Sequence, residues 1–295
     1  MGSGCTHTPF SLPIPDIFCQ TSPMRNLTAT ICLTFAVLLS GCVTVSPNNL
    51  STYYKNTSVS AELYYLGQII DLKTFEIHKP NNKIAVLFNN GTASNFKVSN
   101  CRHSRFPVSI NALQSKTIYG QEFLIFHLCS YSFEYQETLG SLHKTRAQEI
   151  SLAVQYLTGK GISREKIIVA GQSWGGWSTL YYFAKYKPNI MGTITFAPGI
   201  HGRTQDRQEQ SEVIRGAIEF FKGTRINGLV FSHPKDPLFP TRPYHNFVKN
   251  VDGLTLITDE YCLDLPGRRA HGFMYRSCSE PHNEQILTYI RNKLN

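Results

Sequence analysis

From about residue 61 onward, short apolar runs alternate with stretches of helical spacing. Lys83–Phe88 (KIAVLF) is a β-rich run closed by the turn signal Asn89-Asn90-Gly91. Phe123–Leu128 (FLIFHL), Lys166–Ala170 (KIIVA), Met191–Phe196, Gly228–Ser232 (GLVFS) and Leu254–Thr258 read in the same way. Between them, Thr145–Thr158 sets Ile150, Val154 and Leu157 on one helical face, and Gly159 and Gly161 end it. Gly176–Tyr186, Glu209–Lys222, Pro243–Asn250 and Asn283–Asn292 are the remaining predicted helices. Residues 61–80 read as the first strands of the sheet. Wholly apolar strands alternating with helices predict an α/β class, a mostly parallel sheet with helices on both faces.

One predicted strand end carries chemistry. Gly171-Gln172-Ser173-Trp174-Gly175 directly follows the strand IIVA and directly precedes a helix. A serine in Gly-x-Ser-x-Gly at a strand–turn–helix junction is lifted to the C-terminal edge of the sheet, beside a helix N-terminus that favours developing negative charge. A serine hydroxyl needs a base within reach and a third group to orient that base. The expected chain order is serine, acid, histidine. Asp236, in His233-Pro234-Lys235-Asp236-Pro237 just past a strand, is the candidate acid; Asp206, Asp259 and Asp264 fit strand ends less well. His271, in Ala270-His271-Gly272-Phe273, is the candidate base, with His282 its rival. His201 and His233 precede Asp236 and break the order. Oxyanion donors are expected from the Trp174 backbone and from the Asn89-Asn90-Gly91-Thr92 loop, through Asn90 or Gly91.

With these motifs assembled, the chain from about residue 80 to 295 resembles the α/β-hydrolase superfamily. Ser173-Trp174-Gly175-Gly176 and His271-Gly272-Phe273 are similar to its dienelactone hydrolase-like and serine-peptidase-like branches. The resemblance implies a serine hydrolase, first an esterase acting on a small or acylated substrate, second a peptidase or acyltransferase on the same triad. Two departures stand out. The oxyanion loop reads Asn-Asn-Gly where lipases carry a His-Gly pair, and the nucleophile is serine where dienelactone hydrolases carry cysteine. A hydrolase-fold binding protein without activity is the alternative from another class. The polar segment Ile200–Val213 is a candidate lid.

The beginning of the chain has another character. After a proline-rich lead, Met24-Arg25-Asn26 gives a positive start, Leu27 to Leu39 is uncharged and apolar, and Leu39-Ser40-Gly41-Cys42 follows. These are the parts of a secretory signal, and the last four residues resemble the bacterial lipobox. The resemblance implies cleavage before Cys42, lipidation of that cysteine and membrane attachment at the bacterial cell envelope, with Met24 expected as the start of translation; a plain secretory signal on a secreted protein is the alternative. On this reading 1–41 is a leader, 42–60 a Ser/Thr/Asn-rich flexible tether and 61–295 the catalytic domain.

Composition sharpens the picture in three places. Of 295 residues, 41% are hydrophobic and 12% aromatic, which excludes a disordered chain. No apolar run approaches the roughly 20 residues of a membrane span, which excludes a polytopic membrane protein. Of eight cysteines, Cys101, Cys129, Cys262 and Cys278 remain once the leader and Cys42 are set aside. In an exported chain they invite pairing, and Cys262–Cys278 with Cys101–Cys129 is the favoured connectivity, the first bracketing His271. The net charge of +9 suits an anionic surface or substrate. The basic residues are dispersed, which argues against a nucleic-acid partner. No metal, nucleotide-loop or dinucleotide motif is present, so no cofactor and no metal is expected.

Overall fold

The alternating pattern of apolar runs becomes one nine-stranded sheet with helices on both faces. The computed structural model describes residues 48, 50, 54, 61–91, 106–130, 139–199, 215–216, 218–238 and 241–295. The strands are β1 (Ala61–Tyr65), β2 (Gln68–Ile69), β3 (Lys83–Asn89), β4 (Thr117–Ile118), β5 (Gln121–Ser130), β6 (Ile167–Gln172), β7 (Gly192–Phe196), β8 (Arg225–Ser232) and β9 (Asp252–Thr258). The helices are α1 (Val108–Asn111), α2 (Leu139–Gly159), α3 (Trp174–Tyr186), α4 (Thr241–Lys249), α5 (Arg268–His271) and α6 (His282–Leu294).

The strand order is β2-β1-β5-β3-β6-β7-β8-β9, with β4 paired to β5. β5, β3, β6, β7, β8 and β9 run parallel, and β1 joins β5 antiparallel. Side chains along β3 alternate between two cores, as the period of two requires. Ala85 and Leu87 face a cluster with Ile150, Ala153 and Leu157 of α2, Leu180 of α3 and Phe247 of α4. Ile84, Val86 and Phe88 face the other, with Ile110 of α1 and Ile286 and Ile290 of α6. Each of the larger side chains among them, fully withdrawn from water, stabilises the fold by about 1.5–3 kcal/mol.

This order creates a switch point. After β3 the chain crosses to β5 on one side, and after β5 it returns to place β6 on the other side of β3. Open α/β sheets bind ligands outside the carboxyl ends of the strands where the direction of winding reverses. The register Asn89↔Gly171 sets the ends of β3 and β6 side by side at that point.

Several predicted boundaries shift for identifiable reasons. The helix expected from Gly176 begins at Trp174; its glycines act as close-packing positions, not as breakers. The helix expected from Thr145 already runs from Leu139. The run Phe123–Leu128 extends to Gln121–Ser130, because β1 pairs with its polar end in the register Ala61↔Ser130 and Glu62↔Cys129. The expected tether 42–60 contributes to the core: Leu50 is fully buried, Tyr54 packs against the same cluster, and the Tyr54 amide donates to the Leu50 carbonyl at 3.0 Å. Those two side chains are among the few large apolar groups of that segment. Cys42, the whole leader, the first six residues of the predicted helix Glu209–Lys222 and the candidate lid Ile200–Val213 lie outside the described residues.

Candidate active site

Ser173 sits between the last residue of β6 and the first of α3, with φ 51° and ψ −124°. A non-glycine residue in this region is strained by about 1–3 kcal/mol and persists only where its surroundings hold it. Here its N–H donates to the Phe196 carbonyl at 2.9 Å, and its own carbonyl accepts from Gly199 at 2.8 Å and Trp177 at 3.0 Å. Crowding explains the motif's glycines. A Cβ on Gly171 would stand 2.6 Å from the Gly175 carbonyl, and one on Gly175 only 2.1 Å from that of Asn89. Trp174, as the first residue of α3, has an amide with no acceptor within the helix.

The loop after β3 meets this elbow directly. A Cβ on Gly91 would lie 2.8 Å from the Ser173 Cβ, so only glycine fits there. Asn90 and Gly91 are both buried. The three oxyanion candidates Trp174, Asn90 and Gly91 are therefore contributed by two segments that the sheet register sets side by side.

Asp236 lies in the turn after β8 and is 2% exposed. Its Oδ1 accepts from the Leu238 amide at 2.8 Å, leaving Oδ2 facing His271 Nδ1 at 2.7 Å. With the carboxylate as acceptor, Nδ1 carries the proton and Nε2 presents its lone pair. His271 ends the short helix α5, and its Nε2 reaches the elbow, 3.2 Å from Gln172 Nε2. No Ser173–His271 hydrogen bond is present among the described residues.

The rival acid and the rival base occupy a separate cluster. Asp259 Oδ1 is 2.7 Å from His282 Nε2, and Asp259 Oδ2 accepts from the Cys262 amide at 3.0 Å. His233 is buried beside them, with Nε2 3.0 Å from the Cys262 carbonyl and Nδ1 accepting from the Lys235 amide. Asp264 is exposed; Asp206 and His201 lie outside the described residues. Cys262 and Cys278 are disulfide-bonded with Cα atoms 5.3 Å apart, bracketing His271 as expected. Cys129 is also disulfide-bonded; Cys101, its expected partner, lies outside the described residues.

Three contributors were not singled out from sequence. Arg146 of α2 is 1% exposed; its Nη2 donates to Asn89 Oδ1 and, at 2.5 Å, to the Asn90 carbonyl. Asn89 Nδ2 in turn donates to the Gly175 carbonyl at 3.3 Å. Burial pulls the Arg146 guanidinium down to about 9, opposed by the nearby Glu149 carboxylate, so it is cationic at neutral pH. The available signal was a charged pair, Arg146 and Glu149, on the same helical face as Ile150 and Ala153. Gln172, the third, is the variable residue of the motif itself.

The fold and this arrangement define an α/β-hydrolase fold with its serine elbow at the switch point. No family model and no curated protein matches the chain in sequence. Solved structures match it in fold. One is an α/β hydrolase enzyme from the metagenome of sediments of the lagoon of Mar Chica, Morocco, with a TM-score of 0.53 and 11% identity over 80% of this chain and 96% of that one. Another is an esterase from Exiguobacterium antarcticum, with a TM-score of 0.50 and 13% identity over 79% and 96%. A third is the 2-hydroxy-6-oxo-6-phenylhexa-2,4-dienoate hydrolase from Rhodococcus sp. strain RHA1, with a TM-score of 0.50 and 12% identity over 79% and 95%.

Proposed function

We propose that the protein is a serine hydrolase that cleaves an ester through Ser173, His271 and Asp236. The observation that carries this reading is the His271–Asp236 contact at 2.7 Å, with the other ring nitrogen directed at the elbow that holds Ser173. As the Ser173 oxygen bonds to the acyl carbon, its proton passes to His271 Nε2. Asp236 stabilises the resulting imidazolium and fixes the ring. The carbonyl oxygen becomes an oxyanion facing the amides of Trp174 and of Asn90 or Gly91, where each donor lowers the barrier by about 2.7–4 kcal/mol. Collapse breaks the bond to the leaving group, which takes the proton from His271. Water repeats the sequence and releases the acid and free Ser173.

Esters rank ahead of amides because their carbonyl is less stabilised by resonance and because an alkoxide leaves more readily than an amide anion. The similar folds are named as hydrolases and esterases, which supports this class without identifying a substrate. The lipobox-like Leu39-Ser40-Gly41-Cys42 supports an anchored location at the bacterial envelope. The two bonded cysteine sites support an oxidising compartment. The test is a panel of short-chain esters, long-chain esters and peptides, each assayed with wild type and Ser173→Ala. Ester turnover that disappears in Ser173→Ala is expected. Turnover that survives the substitution would overturn the reading.

A further inference from the structure

Gln172 closes β6 and is 9% exposed. Its Nε2 stands 3.2 Å from His271 Nε2. Its Oε1 lies over Gly91, so close that a Cβ at that position would be 2.3 Å away. The side-chain carboxamide thus spans the gap between the loop after β3 and the base, next to Ser173. It is a planar O–C–N group with its oxygen at the Gly91 loop and its nitrogen at His271. A bound acyl group must present its atoms in the same order, oxygen to the loop amides and leaving atom to His271 Nε2.

We infer that the Gln172 carboxamide occupies the acyl site of the resting protein and must turn away before Ser173 can react, which makes Gln172 a positioning residue that gates the site. This rests on the hydrolase reading above. With Nδ1 donating to Asp236, the Nε2 lone pair can accept only a donor, and the Gln172 N–H is the donor in place. The Ser173 hydroxyl needs that same lone pair to surrender its proton. A substrate carbonyl entering toward Gly91 displaces Oε1, frees Nε2 and lets Ser173 take its place on the base. Small acyl groups that gain little from binding elsewhere are therefore held back most.

The test compares second-order labelling rates for a small alkyl fluorophosphonate among wild type, Gln172→Met, Gln172→Ala and Ser173→Ala, with folding checked by circular dichroism. Met keeps the volume and loses both polar atoms; Ala covers the case in which Met perturbs the strand end. The expected result is labelling about 3- to 10-fold faster than wild type in the folded variants, the factor that releasing one hydrogen bond of ordinary net strength confers. A merely structural glutamine predicts slower labelling on substitution. Unchanged or slower rates in the folded variants, with wild type labelled, would overturn this inference alone. A wild type labelled no better than Ser173→Ala would overturn the hydrolase reading beneath it.

Discussion

Arg146 Nη2 stands 2.5 Å from the main-chain oxygen of Asn90, a cation on α2 holding the carbonyl of the loop that faces Ser173. Turning that carbonyl toward Arg146 leaves the following amide, that of Gly91, pointing the opposite way within the peptide plane. The same guanidinium holds Asn89, which reaches back to Gly175 behind the elbow. Arg146 is therefore a positioning residue for the loop. Arg146→Ala should lower kcat about 100-fold, the usual cost of a misplacement of about 1 Å, with KM changed far less. Added guanidinium should restore part of the loss. A kcat loss that guanidinium does not touch, with a KM rise of equal size, would contradict the assignment.

Asp236 and Asp259 predict opposite phenotypes although both bond to a histidine. Asp236→Asn should cut kcat by about 10⁴ while the protein stays folded, because the imidazole loses its orienting acceptor. Asp259→Asn breaks a buried pair with His282 and should cost about 3–5 kcal/mol of stability. The folded fraction of that variant should keep activity within tenfold of wild type. Urea unfolding curves read beside kcat distinguish the two, and an exchange of these phenotypes would reassign the acid.

The Cys262–Cys278 bond closes a loop of 16 residues around His271. Such a loop is worth about 3 kcal/mol in the chain-entropy model. The double substitution Cys262→Ser and Cys278→Ser should lower the urea midpoint by the corresponding amount and reduce activity through a less restrained His271. An unchanged midpoint would mean that the noncovalent contacts of the loop hold it without the disulfide.

Two buried tyrosines set an alkaline limit. Burial pushes the Tyr182 hydroxyl up to about 12. Burial also raises Tyr244, with Asp236 adding to the effect, and its hydroxyl donates to the Pro198 carbonyl at 2.6 Å. Below pH 10 both are neutral in folded and unfolded chains, and their contribution is fully present. Between pH 10 and about 12 the unfolded chain ionises them and the folded chain does not. Stability should therefore fall by roughly 1.4 kcal/mol per pH unit for Tyr182, with Tyr244 acting in the same direction. Urea unfolding at pH 9, 10 and 11 measures the slope, and Tyr182→Phe should flatten it. A slope identical in that variant would remove Tyr182 from the account.

Much of the sheet was legible because its strands are buried on both faces and so read as continuous apolar runs, as in KIAVLF and KIIVA. The place of Ser173 at a strand-to-helix turn was legible because such a tight turn demands small residues at fixed offsets, and the meeting of Asp236 with His271 was expected from the chain order serine, acid, histidine. Arg146 was hidden. A cation on the inner face of a helix shows its purpose only once the loop it holds is in place. Asp259 and His282 stood only as the weaker acid and the rival base, and only the fold shows that they satisfy each other. The role of Gln172 was invisible for the same reason, as its two partners lie in the β3 loop and in α5.

The most direct test of the central claim is site mapping of a fluorophosphonate adduct by intact mass and peptide sequencing. A single adduct on Ser173 in wild type is expected, with none in Ser173→Ala and strongly slowed labelling in His271→Ala. No adduct on the folded wild type, or an adduct that persists in Ser173→Ala, would contradict it.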